Sequence, residues 1–212
     1  AKVIINKAKP KKWAVLHDKQ SYGQGIAAWV RDELKKANVD VALFEGINAG
    51  DSDYSAVITK LKSAGADFVY YGGYHPEMGL LLRQAAEQGL KVRMMGPEGV
   101  GNPEINAIAG NAVEGMLVTL PADPASKPEN AALVKAFQDI GRDAAGAFQM
   151  GAYTATQVLA QSIKAVGDDA EKVADYLHKT TFNMPTGNVA WDAKGDLKAF
   201  DFPVYSWHKD GS

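Results

Sequence analysis

The sequence predicts an α/β fold with a mostly parallel sheet, on three grounds. Short runs rich in apolar, β-branched and aromatic residues alternate with longer segments of helical periodicity. Each apolar run is short enough to be a buried strand. The segments between them begin and end with residues that start and stop helices, so local chemistry and periodicity agree.

Strands are expected at 13–17, 39–44, 68–72, 92–96 and 116–120. The first crossover helix, 23–38, carries Ile26, Trp29, Val30 and Leu34 on one stripe. The second, 54–64, carries Val57, Ile58 and Leu61, and Asp53 is placed to cap it. The third, 76–88, carries Leu80, Leu81 and Ala85 and opens on Pro76, which suits a first helical turn. Gly65 and Gly89 follow the second and third helices, where a left-handed residue ends a helix.

After Pro121 the composition changes. A connector rich in proline (121–128) leads to three helical patterns at 130–141, 147–166 and 170–179, with no clear strand among them. This is the best position for a boundary. Strand-like alternation returns at 187–191 and 202–208, around a turn made by Asp192 to Asp196.

Bulk composition excludes several functions. Of 212 residues, 46% are apolar and 23% charged, an ordinary globular composition with enough apolar surface for one or two modest cores. A formal net charge of -2 leaves no basic excess to neutralise phosphates, so nucleic acid is not an expected partner. No apolar run approaches the roughly 18–20 residues needed to cross a bilayer, and the first ten residues lack the apolar core of a signal peptide. Any export signal is therefore expected outside this sequence. The absence of Cys excludes disulfides and thiolate chemistry, and fits cytoplasm or periplasm alike.

In an open parallel sheet a ligand crevice lies beyond the carboxyl ends of the strands. The first strand runs into a polar loop, 17–25, with Tyr22 at the start of a helix whose first amides are available to an acceptor. The third ends in Gly72-Gly73-Tyr74, where paired glycines let backbone approach a ligand. The fourth ends in Gly96-Pro97-Glu98-Gly99, a turn holding one carboxylate at its tip. Two tyrosines and an acid suit a cationic or zwitterionic small molecule through a salt bridge and cation–π attraction. Taken singly, each tyrosine is more often a half-buried packing residue than a ligand contact, and Glu98 reads equally as a solvated loop acid.

Other chemistry is poorly represented. His17, His75, His178 and His208 lack metal-ligand spacing, so no metal is expected. The glycine-rich turns match neither a dinucleotide fingerprint nor a phosphate loop, so no cofactor is expected. Ser21 and Ser55 lack the glycine frame of a nucleophile elbow, and a hydrolase reading rests on nothing specific. The basic stretch 7–12 and the charged face 31–36 read as solvated surface, and Trp13, Trp29, Trp191 and Trp207 as core or interface anchors.

Five spaced motifs carry a family resemblance: His-Asp-Lys-Gln-Ser-Tyr-Gly (17–23), Phe-Val-Tyr-Tyr-Gly-Gly-Tyr (68–74), Met-Gly-Pro-Glu-Gly-Val-Gly-Asn (95–102), Glu-Gly-Met-Leu-Val-Thr (114–119) and Trp-Asp-Ala-Lys-Gly-Asp-Leu-Lys-Ala-Phe-Asp-Phe (191–202). In this order they resemble the leucine/isoleucine/valine-type periplasmic binding proteins of ABC transporters. The resemblance implies the type I periplasmic binding fold, with a complete C-terminal lobe and a remnant of the N-terminal lobe. It places residues 1–121 in the C-terminal lobe, 122–188 in a helical segment of the first lobe, and 189–212 in return strands to the C-terminal lobe.

By the same resemblance Glu98 takes the ligand ammonium, Tyr22 and Tyr74 line the cleft, and Phe148 adds an apolar wall. It implies no enzyme activity. It implies capture of an amino acid between two lobes in the periplasm, branched-chain aliphatic first and another amino acid or γ-aminobutyrate as alternatives, with delivery to a membrane permease. The opening βα units of the first lobe, which would hold the ligand carboxylate, are expected from an N-terminal segment absent here. A fragment acting as an interaction module with that segment is the remaining alternative.

Overall fold

The computed structural model describes residues 5, 10–144, 148–199 and 201–210. The chain divides into two compact units, Ala1–Leu120 with Val204–Ser212, and Pro121–Pro203.

The first unit is a six-stranded sheet flanked by helices. Its elements are β1 (Trp13–His17), α1 (Ser21–Lys36), β2 (Val41–Gly46), α2 (Ser55–Ala64), β3 (Phe68–Gly72), α3 (His75–Glu87), β4 (Arg93–Gly96), the short α4 (Ile105–Ala109), β5 (Met116–Thr119) and β8 (Val204–Trp207). The strand order is β2-β1-β3-β4-β5-β8, parallel except that β8 runs antiparallel to β5. Strands β1 and β3 are buried along their whole length, which is why their sequences read as continuous apolar runs.

Alternation along the strands divides the core between the two faces of the sheet. Trp13, Val15, Phe68, Tyr70, Met95 and Leu117 pack with Ala27, Val30 and Leu34 of α1. Their neighbours Ala14, Leu16, Val69, Tyr71, Met94 and Met116 face the other way, against Ile58 and Leu61 of α2 and Met78 and Leu81 of α3. Trp13 and Trp207 are buried as anchors, whereas Trp29 lies on the outer face of α1 and is 62% exposed.

Element ends follow local chemistry with small displacements. Pro76 lies in the first turn of α3, and Gly65 takes the left-handed conformation after α2. Asp53 stands one residue before the helix-flanking Tyr54, and its carboxylate accepts from the Ser55 amide at 2.8 Å. β2 begins at Val41 rather than 39 because α1 closes through Asn38 at φ 55°, and the Val39 amide donates back to the Leu34 carbonyl. The basic stretch is described only at its end, where Lys11 and Lys12 are exposed; residues 7–9 lie outside the described residues.

The second unit contains α5 (Ala131–Asp139), α6 (Gln149–Val166), α7 (Ala170–Lys179) and a hairpin of β6 (Phe182–Met184) with β7 (Gly187–Val189). Asp169 caps α7 by accepting from the Lys172 amide at 3.0 Å. The expected start of the middle helix at 147 lies outside the described residues. The small core joins Val158, Phe182 and Met184, with Tyr176, Leu177 and Trp191 packed against it. A cavity of about 460 Å³ opens among residues including Pro124, Met150, Thr186 and Phe202.

Here the structure corrects the tail of the sequence reading. Residues 187–189 pair with 182–184 inside the second unit, and the chain rejoins the first unit at Val204 rather than 189. The cause is the tight turn at Pro185-Thr186, after which Gly187 sits at φ 114°, a conformation open to glycine. A strand of three residues is too short to show a period, so β6 left no signal. The turn at 192–196 does form: the Asp192 carboxylate accepts from the Lys194 and Asp196 amides, and a bridge joins Trp191 to Leu197.

Candidate functional site

The strand order creates the site. The crossover through α1 carries the chain from β1 outward to β2, and the next crossover brings it back past β1 to β3. The winding therefore reverses between β1 and β3, and the loops after these two strands diverge to leave a crevice at their carboxyl ends. Tyr22 lies in the first turn of α1, Tyr74 directly precedes α3, and Glu98 opens a 3-10 turn after β4.

These three side chains, all expected from the sequence, meet. The Tyr22 hydroxyl donates to Glu98 Oε1 at 2.8 Å. The Tyr22 and Tyr74 rings lie with centroids 5.3 Å apart and planes inclined by 32°. Gly99 makes the approach feasible, because a Cβ there would stand 2.8 Å from the Gly73 carbonyl, 3.1 Å from Tyr74 Cδ1 and 3.3 Å from Tyr22 Cε1. Burial pushes the Tyr22 phenol well above its ordinary range, and the hydrogen bond and negative charge of Glu98 push it further. It therefore stays a neutral donor at any physiological pH. Glu98 and Tyr74 remain partly open to solvent, Tyr74 being 47% exposed. A primary ammonium group placed here would find a carboxylate for a charge-assisted hydrogen bond and aromatic faces for cation–π attraction.

Three groups beneath the site were missed from the sequence. Tyr70, 6% exposed, shares the α1 face of the sheet, and its phenol is pushed up by burial and by the proximity of Tyr22 and Glu98. Asp18 and Tyr71 are more deeply buried, at 1% and 0% exposure. The usable signal was alternation along β3, which puts Tyr70 and Tyr71 on opposite faces. On the opposite face, α3 is tied to the loop after β2: Glu77 accepts from the Gly50 amide at 3.0 Å, and Gln84 from the Tyr54 amide at 2.7 Å.

His17 controls the turn into α1. Its Nδ1 accepts from the Lys19 amide at 3.1 Å, with Lys19 at φ 62°, and its ring packs on Phe44 with centroids 5.3 Å apart. Burial lowers its pKa below 6.5, opposed by the Asp18 charge and assisted by Lys19. Below about pH 6.5 the unfolded chain takes up a proton that the folded chain resists, so this contribution is complete above that pH and is lost as pH falls toward the folded pKa. Melting between about pH 7.5 and 5 is expected to show a steeper acid loss for wild type than for His17→Asn, whose amide oxygen can still accept from Lys19. Equal slopes would rule the role out.

Phe148, the fourth expected residue, belongs to the second unit, where it precedes the first turn of α6 and is 60% exposed. His75 Nε2 lies 3.3 Å from Glu104 Oε2, and His208 Nδ1 lies 2.7 Å from Glu114 Oε1. Among the described residues no group of three or more His, Asp or Glu side chains is placed to hold a metal ion, and no helix is long and apolar enough to cross a membrane.

The described residues thus bring an acid and two aromatic faces together at the switch point of a doubly wound sheet, where small molecules bind in folds of this class. Over residues 1–212 the chain matches the model of the periplasmic binding protein family, and it belongs to that family. It is 57% identical over its whole length to the leucine-, isoleucine-, valine-, threonine- and alanine-binding protein of Pseudomonas aeruginosa, of which it covers 57%. It is 47% identical to the Leu/Ile/Val-binding protein of Escherichia coli K12, of which it covers 58%. The crystal structure of a leucine binding protein from Thermotoga maritima superposes with a TM-score of 0.81 at 28% identity, covering 98% of this chain and 63% of that one. The chain thus spans under three-fifths of the length of these curated relatives.

Proposed function

We propose that this chain forms most of an amino-acid-binding protein that delivers its ligand to the membrane permease of an ABC transporter, in the periplasm. The observation that carries this reading is the Tyr22–Glu98–Tyr74 cluster at the sheet's switch point. Glu98 takes the ligand ammonium, the two tyrosines enclose it, and Phe148 contributes an apolar wall. The part of the relatives' length that this chain does not span completes the first lobe and supplies the carboxylate contacts. Branched-chain aliphatic amino acids are the first choice of ligand, in keeping with the names of the relatives, and other amino acids or γ-aminobutyrate remain within reach of the same amine site.

Surface in the second unit supports dependence on a completing segment. Among its described residues the core cluster joins only Val158, Phe182 and Met184 as buried members, while Ile140, Leu159 and Ile163 are 73%, 48% and 46% exposed. Leu159 and Ile163 lie one helical turn apart on α6 and leave an apolar strip that a partner segment can cover. A stable complex of this chain with that segment, showing no affinity for any ligand, would favour the interaction-module reading instead.

The test is thermal melting of the two-lobe protein against leucine, valine, alanine and γ-aminobutyrate. A ligand that binds only the folded form raises Tm by mass action, by about 2.7 kcal/mol of stability at a concentration of 100 Kd. A rise with leucine or valine is expected; no rise with any of the four would overturn the proposal.

A further inference from the structure

Two buried polar groups lie beneath the amine site, each under a glycine that adjoins one of its tyrosines. Asp18 directly follows β1, and its backbone amide donates to the Gly72 carbonyl at 3.1 Å. Its Oδ1 accepts from the Gln20 amide at 2.9 Å, directly ahead of α1. A Cβ on Gly23 would fall inside contact distance of that same Oδ1, so the carboxylate lies directly against the first turn of the helix. Tyr71 stands under the other loop: a Cβ on Gly73 would overlap its hydroxyl. The two groups sense each other, since the Asp18 charge adds to the burial that pushes the Tyr71 phenol up.

Among the described residues, neither Asp18 Oδ2 nor the Tyr71 hydroxyl has a hydrogen-bond partner. Buried polar groups are seldom left so, and a carboxylate in this state is costly unless it serves a purpose. A purpose is visible in α1. The helix has no acidic residue in its first turn, and the flanking Gln20 makes no side-chain cap. Asp18 supplies an acceptor for the amide of Gln20, which flanks the helix, and a negative charge at the positive end of the helix dipole. The turn so held contains Tyr22.

The geometry points to Asp18 as a positioning residue of the amine site: through the first turn of α1 it fixes the Tyr22 hydroxyl on Glu98. Asp18 touches no ligand in this arrangement and acts on affinity through Tyr22 alone. The inference rests on the reading of Tyr22, Tyr74 and Glu98 as the amine site, and its test separates the two.

Asp18→Ala and Asp18→Asn are made in the two-lobe protein, each with and without Tyr22→Phe, and leucine binding is titrated calorimetrically. Asp18→Ala is expected to weaken binding about tenfold or more, and Asp18→Asn, which keeps an oxygen for the Gln20 amide, to restore it to within about threefold. In the Tyr22→Phe background the Asp18→Ala loss should shrink below about threefold, since nothing remains to position. An undiminished loss in that background, or no loss from Asp18→Ala at all, overturns the inference. If Asp18→Ala fails to fold, Asp18→Ser takes its place under the same criteria.

A second readout needs no ligand. The Tyr22 phenol is titrated by absorbance as the difference between each protein and its Tyr22→Phe partner. Its transition should lie above the ordinary value of ~10 in wild type and fall toward it in Asp18→Ala, because the bond to Glu98 is lost. An unchanged transition overturns the positioning role even where no amino acid binds wild type, an outcome that would fall on the proposed function instead.

Discussion

Replacing Glu98 with Gln is expected to weaken amino-acid binding by about 100-fold while leaving the fold almost untouched. The two effects separate because of where the charge matters. Gln keeps an amide oxygen in place of Oε1, so the Tyr22 hydroxyl, now 2.8 Å from that position, retains an acceptor. What disappears is the anion. An ammonium group desolvated against a neutral amide loses a charge-assisted contact and is left without a counter-ion, a loss of roughly 2–5 kcal/mol for buried pairs of this kind. The lower part of that range applies because Glu98 is partly open to solvent before any ligand arrives. Calorimetric titration of wild type and Glu98→Gln with leucine checks the affinity, and melting without ligand checks the fold. A variant that binds leucine within threefold of wild type would remove Glu98 from the site. The charge of the ligand offers a further control: an analogue lacking the amine should bind wild type and variant alike.

The same residue shows how far a sequence can be read. Glu98, Tyr22 and Tyr74 were legible as candidates because each lies within a few residues after an apolar run, and strand ends in a parallel sheet are where ligands bind. Strand positions in the first unit were legible because β1 and β3 are buried on both faces and therefore read as unbroken apolar runs. The hydrogen bond from Tyr22 to Glu98 was not legible, because it depends on Gly99 admitting two rings at ordinary contact distance. Asp18 carried no signal of burial: in the sequence it sits between His17 and Lys19, where an acid reads as a solvated loop residue. Only the fold puts it under the helix. The pairing of β6 with β7 escaped for a different reason: residues 187–189 read as strand, but β6, the three residues ahead of Pro185-Thr186, presents no periodicity that would mark it as the partner.

Gly72→Ala is expected to be the most damaging single-methyl change in the first unit, lowering stability by about 3 kcal/mol, at the upper end of the usual cost of overpacking. A Cβ at Gly72 would overlap the Gly23 carbonyl, and one at Gly23 would stand 2.5 Å from the Gly72 carbonyl. Both obstructing groups are backbone, so no side chain can rotate away. Either the first turn of α1 lifts off the end of β3 or β3 shifts within a sheet that holds it on both sides, through β1 and β4. Lifting the turn also carries Tyr22 away from Glu98, so ligand affinity should fall with stability. Gly25 provides the contrast within the same helix. Nothing lies within 4 Å of its Cβ position, and Gly25→Ala should stabilise by about 0.5–1 kcal/mol through helix propensity alone. Urea melts of the two variants against wild type decide between them. If Gly72→Ala stayed within about 0.5 kcal/mol of wild type, α1 would not be seated on β3 as described, and the route by which the sheet positions Tyr22 would have to be abandoned.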